Sequence, residues 1–268
     1  LYKNKKGVRG MVKHKARLLC SLLFILVVSG CAHNQLQSTD QSLQSIKEKG
    51  RLVVGTYPVV EPMTFINQSG EVTGFDMDIV RQIASKIGVA IEIKQINFQD
   101  LIPSAKKGDI DLIACVLTIT PARSEEVLFS IPYFNTGQMI ITRKENNNIH
   151  GPADLKDKRV GVQKGTTAET AALEYVNQSL LVLYDDWTLA PEDLKGGKTD
   201  AILFDVGAYI LVQHNAELKI VGEPLTQEFY GFATQKNNNA LIAEVNSILR
   251  EMKRSGELKE LENKWGIR

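Results

Sequence analysis

Short apolar runs of strand character alternate along this chain with runs whose apolar residues recur at helical spacing, and this alternation restricts the fold more than any other feature. Residues 51–56 form an extended apolar run. Ile79, Val80, Ile83, Ala84 and Ile87 then fall on one helical face, with Asp76 placed to cap the helix and Gly88 to end it. Residues 89–96 read as a strand, 101–107 as a short helix closed by Gly108, and 111–116 as another strand. A βαβαβ rhythm of this kind predicts a parallel sheet with helices on both faces.

A second set of the same kind follows from about residue 154. Strands are predicted at 159–163, 180–184, 201–204 and 218–221, and helices at 167–177, 193–195 and 206–213. The last segment, 239–265, is helical, with Leu241, Ile242, Val245, Ile248, Leu249 and Met252 as its core-facing stripe and Gly256 as a break. Two α/β sets predict two lobes. No Gly/Pro/Ser linker separates them. The transitions are the apolar runs 138–142 and 229–234, so the chain is expected to cross between lobes through two extended hinge segments.

The N-terminus has a different character. Residues 1–30 hold seven basic residues and no acidic one, and the run 18–28 is entirely apolar but for Cys20 and Ser21. Eleven helical residues span about 16 Å, half of a bilayer core, so the run is too short to cross a membrane. It reads as a secretory signal, with Met11 as the initiator. Removing residues 1–30 changes the formal charge from +1 to −6, so the basic character belongs to the leader. A mildly acidic remainder argues against a nucleic-acid partner. Residues 31–45 are polar and predict a flexible tether. Of three cysteines only Cys115 lies in the folded body, which excludes an internal disulfide there and any cysteine metal cluster. It reads as an inert thiol in a buried strand, and no cofactor or metal is expected.

Three local patterns point to ligand chemistry. In Thr118-Ile119-Thr120-Pro121-Ala122-Arg123, Thr120 and Pro121 start a helix whose first turn carries Arg123. A guanidinium beside free helix N–H groups and the Thr118 hydroxyl suits a carboxylate. A surface salt bridge is the alternative role for Arg123. Gly165-Thr166-Thr167-Ala168-Glu169 has the spacing of a capping box after a tight turn. Asp205 closes the apolar strand 201–204, at the end where open α/β sheets bind ligands, and suits an ammonium group; helix capping is its alternative.

Two resemblances sharpen this reading. Val28-Ser29-Gly30-Cys31 resembles the lipobox of bacterial lipoproteins, which implies that Cys31 is lipidated, with diacylglycerol and palmitate. Dispersed blocks over residues 46–268 include Gly74-Phe75-Asp76-Met77-Asp78, Thr118–Arg123, Phe129-Ser130-Ile131-Pro132-Tyr133, Asp200–Asp205, Tyr230-Gly231 and Lys264-Trp265-Gly266. In this order they resemble the polar amino-acid binding proteins of bacterial ABC importers, the glutamine/histidine/arginine-binding group. That resemblance implies an α/β, two-lobed periplasmic-binding-protein fold, each lobe a sheet flanked by helices, joined by two hinge strands. Lobe 1 would be residues 46–138 plus 232–268, and lobe 2 residues 139–231. It further implies that Arg123, helped by Thr118 and Thr167, holds the α-carboxylate of an L-amino acid, that Asp205 receives its ammonium, and that Phe98 forms one aromatic wall.

Tyr57 and Val60 fall on the opposite loop, where the family often has Asp or Asn and an aromatic residue. Met63 stands where Phe is usual, and Val116 where Gly or Ser is frequent. Tyr57 removes a carboxylate suited to basic side chains, so the sequence favours an uncharged or partly apolar ligand over arginine or lysine. Glu61 reverses this only if it points inward.

The resemblance implies a monomeric, lipid-anchored, extracytoplasmic receptor that closes on its ligand and is met by a membrane permease, without catalysis. Two alternatives share the fold: an enzyme similar to the cyclohexadienyl dehydratases, which needs a proton-transfer group in the cleft, and a stand-alone amino-acid sensor.

Overall fold

The computed structural model describes residues 40–267. The expected leader, the expected lipidation at Cys31 and the expected tether over residues 31–39 fall outside them.

The described chain opens with a helix, Ser42–Lys49. Strands β1 (Arg51–Thr56), β2 (Val59–Val60), β3 (Thr64–Ile66) and β4 (Val72–Thr73) follow, then a helix, Phe75–Ile87. Next come β5 (Ala90–Gln95), a helix Leu101–Lys107, β6 (Leu112–Ile113), a helix Pro121–Glu126, β7 (Val127–Phe129), β8 (Phe134–Thr136) and β9 (Met139–Arg143). The second alternation gives β10 (Val160–Gln163), a helix Thr167–Ala172, β11 (Leu181–Tyr184), a helix Ala190–Lys195, β12 (Ala201–Phe204), a helix Gly207–His214 and β13 (Leu218–Val221). The chain returns through β14 (Glu228–Tyr230) and β15 (Ala233–Gln235) to the helices Asn239–Ser255 and Glu257–Lys264.

Two five-stranded sheets form the two lobes, in the orders β5-β1-β6-β15-β7 and β11-β10-β12-β9-β13. Neither is purely parallel, as the alternation alone had predicted. The βαβ units supply the parallel pairs β1–β5, β1–β6, β10–β11 and β10–β12. The strands next to the crossings run antiparallel: β15 beside β6 and β7, and β9 beside β12 and β13. A chain that leaves one sheet and later returns to it enters from the opposite direction, which no local pattern encodes.

The crossing itself is a separate two-stranded ribbon, β8 against β14. The predicted hinge run 138–142 mostly becomes β9, inside the second sheet, because an apolar run looks alike in a hinge and in a core strand. At the ribbon's end a Cβ on Gly137 would lie 2.0 Å from the Thr226 carbonyl oxygen, so only glycine lets the two crossing segments approach this closely.

Each sheet is packed on both faces. The helical stripes Ile79–Ile83–Ile87 and Leu241–Val245–Met252 bury against Leu52 and Val54 on one face of the first sheet, with Leu101, Ala105 and Ile113 on the other. In the second sheet, Ala201 and Leu203 face one core while Ile202 faces the other, as the period of two requires.

Some local readings need correction. Residues 40–45 are not tether. Asp40 accepts a hydrogen bond from the Ala240 N–H and Ser42 Oγ one from the Leu241 N–H, and Ile46 is buried, so the first helix is docked on the helix Asn239–Ser255. Asp76 does not cap its helix, whose N-cap is Gly74; its side chain turns into the core. Cys115 is buried but lies in the bend after β6, because that strand ends at Ile113. The helix after β10 stops at Ala172, well short of residue 177. Among the described residues no helix is long and apolar enough to cross a membrane.

Candidate functional site

The carboxyl ends of the parallel strands in both lobes face one cleft, which encloses a cavity of about 40 Å³. All eight residues singled out from the sequence lie on its walls: Tyr57, Val60, Phe98, Val116, Thr118, Arg123, Thr167 and Asp205. Tyr57 follows β1, Phe98 follows β5, and Val116 and Thr118 follow β6. Thr167 opens the helix after β10, and Asp205 follows β12. This is where open α/β sheets expose backbone and side chains to ligands.

Arg123 is held from both lobes. Thr120 Oγ1 accepts from the Arg123 N–H at 3.2 Å, which caps the helix as expected. One guanidinium nitrogen donates to the Thr118 carbonyl at 2.9 Å and the other to the Gly165 carbonyl, in the opposite lobe, at 3.1 Å. Its carbon lies 5.5 Å from the Phe98 ring centroid. Three of the five guanidinium N–H groups are left over. Among the described residues Arg123 makes no salt bridge, and its guanidinium bonds carbonyl oxygens instead. Burial pulls its pKa down, and the Glu228 carboxylate opposes that pull.

Asp205 presents the opposite charge. Its Oδ1 is buried and has no hydrogen-bond partner, and burial pushes its pKa to about 6, against the nearby Tyr230 hydroxyl. It closes no capping hydrogen bond on the next helix, whose N-cap is Val206, although the Gly207 N–H at that helix's start lies near it and pulls its pKa down.

Gly165 has a φ of 75°, the left-handed turn predicted for it. The capping box beside it forms only in altered form. Glu169 accepts from the Gly165 N–H at 2.7 Å, and the Thr166 hydroxyl bonds the Gln163 carbonyl instead of the helix.

Sequence reasoning missed Glu228. It is 6% exposed, and its carboxylate accepts from the hydroxyls of Thr118, Thr167 and Thr226, each at 2.8 Å. A hydroxyl carries one proton, so those of Thr118 and Thr167 are committed to Glu228. Nothing in the sequence near residue 228 signals this. The hinge ribbon alone brings Glu228 between the two threonines.

Asp76 also acts at the site from beneath. Oδ2 accepts from the Val116 N–H at 2.9 Å and Oδ1 from the Tyr133 hydroxyl at 2.8 Å. Burial raises its pKa to about 7. Val116 has a φ of 43°, a costly conformation for a β-branched residue, and this bond helps hold it there.

Gln163, Trp187, Leu203 and Phe204 also line the cleft and were not named from the sequence. Each lies at or just after the carboxyl end of a parallel strand, so the rule that found Asp205 would have found them. Met63 is buried without reaching the cleft, and Glu61 is exposed and outside its walls. At the mouth, Tyr57 donates from its hydroxyl to Asp186 at 3.3 Å, and Gln99 donates to Asp185 at 2.9 Å, both across the lobes. Among the described residues no cluster of three or more His, Cys, Asp or Glu is placed to hold a metal ion.

Comparison with known proteins agrees with this architecture. Residues 52–268 match the bacterial extracellular solute-binding proteins, family 3. The ABC transporter glutamine-binding protein GlnH of Bacillus subtilis (strain 168) is 31% identical over 259 residues, covering 92% of this chain and 94% of the relative. A mutant of ArgBP from T. maritima is similar in structure, with a TM-score of 0.79 and 37% identity over 84% of this chain and 98% of that one. An ancestral amino acid-binding protein described as a precursor of cyclohexadienyl dehydratase gives a TM-score of 0.78 at 33% identity, over 84% and 99% of the two chains. A two-lobed α/β body whose sheets both aim their carboxyl ends at one cleft, matched to the family over nearly its whole length, places the chain among the bacterial extracellular solute-binding proteins of family 3.

Proposed function

We propose that this chain is the extracytoplasmic substrate-binding subunit of an amino-acid ABC importer, and that it takes an L-amino acid in the cleft by closure of the lobes. One observation carries the reading. The cleft is lined by a guanidinium with spare donors and by the buried Asp205 carboxylate, whose Oδ1 closes no hydrogen bond although the Tyr230 hydroxyl lies near it. A zwitterion satisfies both at once, and two charges desolvated together need this mutual compensation.

In this reading Arg123 grips the α-carboxylate and Asp205 the α-ammonium. Phe98, Tyr57, Val60 and Val116 shape the side-chain pocket. Thr118 and Thr167 serve the carboxylate only if their hydroxyls turn from Glu228, so their first role is to join the two lobes through it. Lobe 1 is residues 40–138 with 232–268, its start moved from 46 by the docked first helix, and lobe 2 is residues 139–231. The closed shape is recognised by a membrane permease, and the chain is monomeric and anchored through a lipid on Cys31.

The reading is non-enzymatic. Asp205 is raised to about 6 and could hold a proton in the cleft, but an ammonium partner satisfies the same oxygen. Isothermal calorimetry with the natural amino acids tests the proposal: heat of binding from at least one supports it, and none from any rejects it. Incubation with prephenate or arogenate, followed by ultraviolet detection of an aromatic product, tests the enzyme on the same fold; turnover would replace transport with catalysis.

A further inference from the structure

The segments that cross between the lobes carry a polar circuit as well as the chain. Glu228 opens β14 and is buried. Its Oε2 accepts from the Thr118 hydroxyl of lobe 1 and from the Thr167 hydroxyl of lobe 2, and its Oε1 accepts from the Thr226 hydroxyl. Gln138, on the other crossing segment, fixes the direction of these bonds. Its backbone N–H donates to Thr226 Oγ1 at 2.9 Å and its Nε2 to Thr167 Oγ1 at 3.2 Å. Neither nitrogen can accept, so Thr226 and Thr167 each take a proton from Gln138 and give their own to Glu228. The Gln138 Oε1 is left buried without a partner. Turning the amide over does not relieve this, because it would set that oxygen in place of the nitrogen, 3.5 Å from the Glu228 carboxylate.

One carboxylate on the hinge ribbon thus holds a side chain from each lobe. An ionised acceptor makes each of these bonds stronger than a neutral one. The bond to Thr167 exists only while the lobes are together, since Thr167 opens the helix Thr167–Ala172 of lobe 2 and leaves with it. The other side-chain bonds across the gap, Arg123 to Gly165, Tyr57 to Asp186 and Gln99 to Asp185, are exposed to solvent. The Thr167–Glu228 bond is partly buried, so less is regained from water when it breaks. Every partner in the circuit belongs to the chain itself, and none depends on what enters the cleft.

We infer that Glu228 is a positioning residue that latches the lobes from the hinge, so that the ligand-free chain is mostly closed and opens only when Thr167 lets go. The inference rests on the closure described under the proposed function but not on the identity of the ligand. Single-molecule energy transfer between one dye on each lobe, on purified protein without ligand, reads the ratio of open to closed molecules. The parent should be mainly closed. Glu228→Ala should raise the open-to-closed ratio by about tenfold or more, the effect of losing hydrogen bonds to a charged acceptor. Glu228→Gln should restore most of the closed population, because its carbonyl oxygen can still accept from Thr118 and Thr167 while its amide donates to Thr226. A residue needed only for packing would not show this contrast between alanine and glutamine. If Glu228→Ala does not fold, Thr167→Val makes the same test: it removes the hydroxyl of lobe 2, keeps its shape, and should open the chain likewise. A parent as open without ligand as Glu228→Ala or Thr167→Val overturns the inference, and so does a Glu228→Gln variant as open as the alanine one. Either result leaves the amino-acid reading standing, and a chain that binds no amino acid but closes in this pattern leaves the latch standing.

Discussion

Two side chains of opposite sign set the chemistry of the cleft, and each makes a separate prediction. Arg123→Ala should weaken amino-acid binding by about 2–4 kcal/mol in calorimetry while the fold persists, because the ligand carboxylate is then buried without its partner. Unchanged affinity would reject the assignment. Asp205 must be ionised to hold an ammonium, and burial has moved its pKa to about 6. Affinity should therefore be flat above about pH 7 and fall by up to about tenfold per pH unit below pH 6. A carboxylate at its ordinary 3.8 would hold affinity well into acid. The same shift predicts an effect on stability. Between about pH 4 and 6 the folded chain holds this proton more tightly than the unfolded chain, so the ligand-free protein gains stability as pH falls through that window. Asp205→Asn lacks this term. It should melt higher than the parent at neutral pH, with the gap closing toward pH 4.

At the scale of elements, the helix Asn239–Ser255 begins without a cap of its own: Asn238 makes no side-chain capping bond. Its first N–H groups are satisfied by Asp40 and Ser42, some 200 residues earlier in the chain. Burial would raise the Asp40 pKa, but the backbone N–H bonds outweigh it and hold the carboxyl low. Asp40→Ala should cost about 1 kcal/mol in chemical denaturation, as loss of an N-cap does. The hinge ribbon makes a sterner demand. Gly137→Ala forces a methyl against the Thr226 carbonyl, and a clash of this kind in a packed region costs about 1–3 kcal/mol. Calorimetric unfolding should show it, and a variant as stable as the parent would mean that the ribbon yields easily.

At the scale of the whole molecule, closure brings lobes together that share few covalent crossings. Arg123 to Gly165, Tyr57 to Asp186, and Glu228 between Thr118 and Thr167 span the gap. A ligand that binds only the closed native form should raise the melting temperature in proportion to the logarithm of its concentration. Cys31→Ser should release the protein from the membrane fraction into the soluble one, and retention in the membrane would discard the lipid anchor.

The α/β class, the strand and helix positions within a few residues, and the placement of Arg123 and Asp205 on the cleft were legible in the sequence. Each depends on local regularities: hydrophobic period, turn chemistry at Gly88 and Gly108, capping at Thr120, and the rule that functional groups follow strand ends. Strand direction at the crossings, the true hinge ribbon, the burial of Asp76 beneath Val116 and the bridging place of Glu228 were not legible. All four arise where segments forty or more residues apart meet, and spacing within one run carries no information about a partner that distant. Only the assembled sheets bring an acid from the returning strand between hydroxyls from two lobes, because the chain must leave the first sheet and come back to build the cleft.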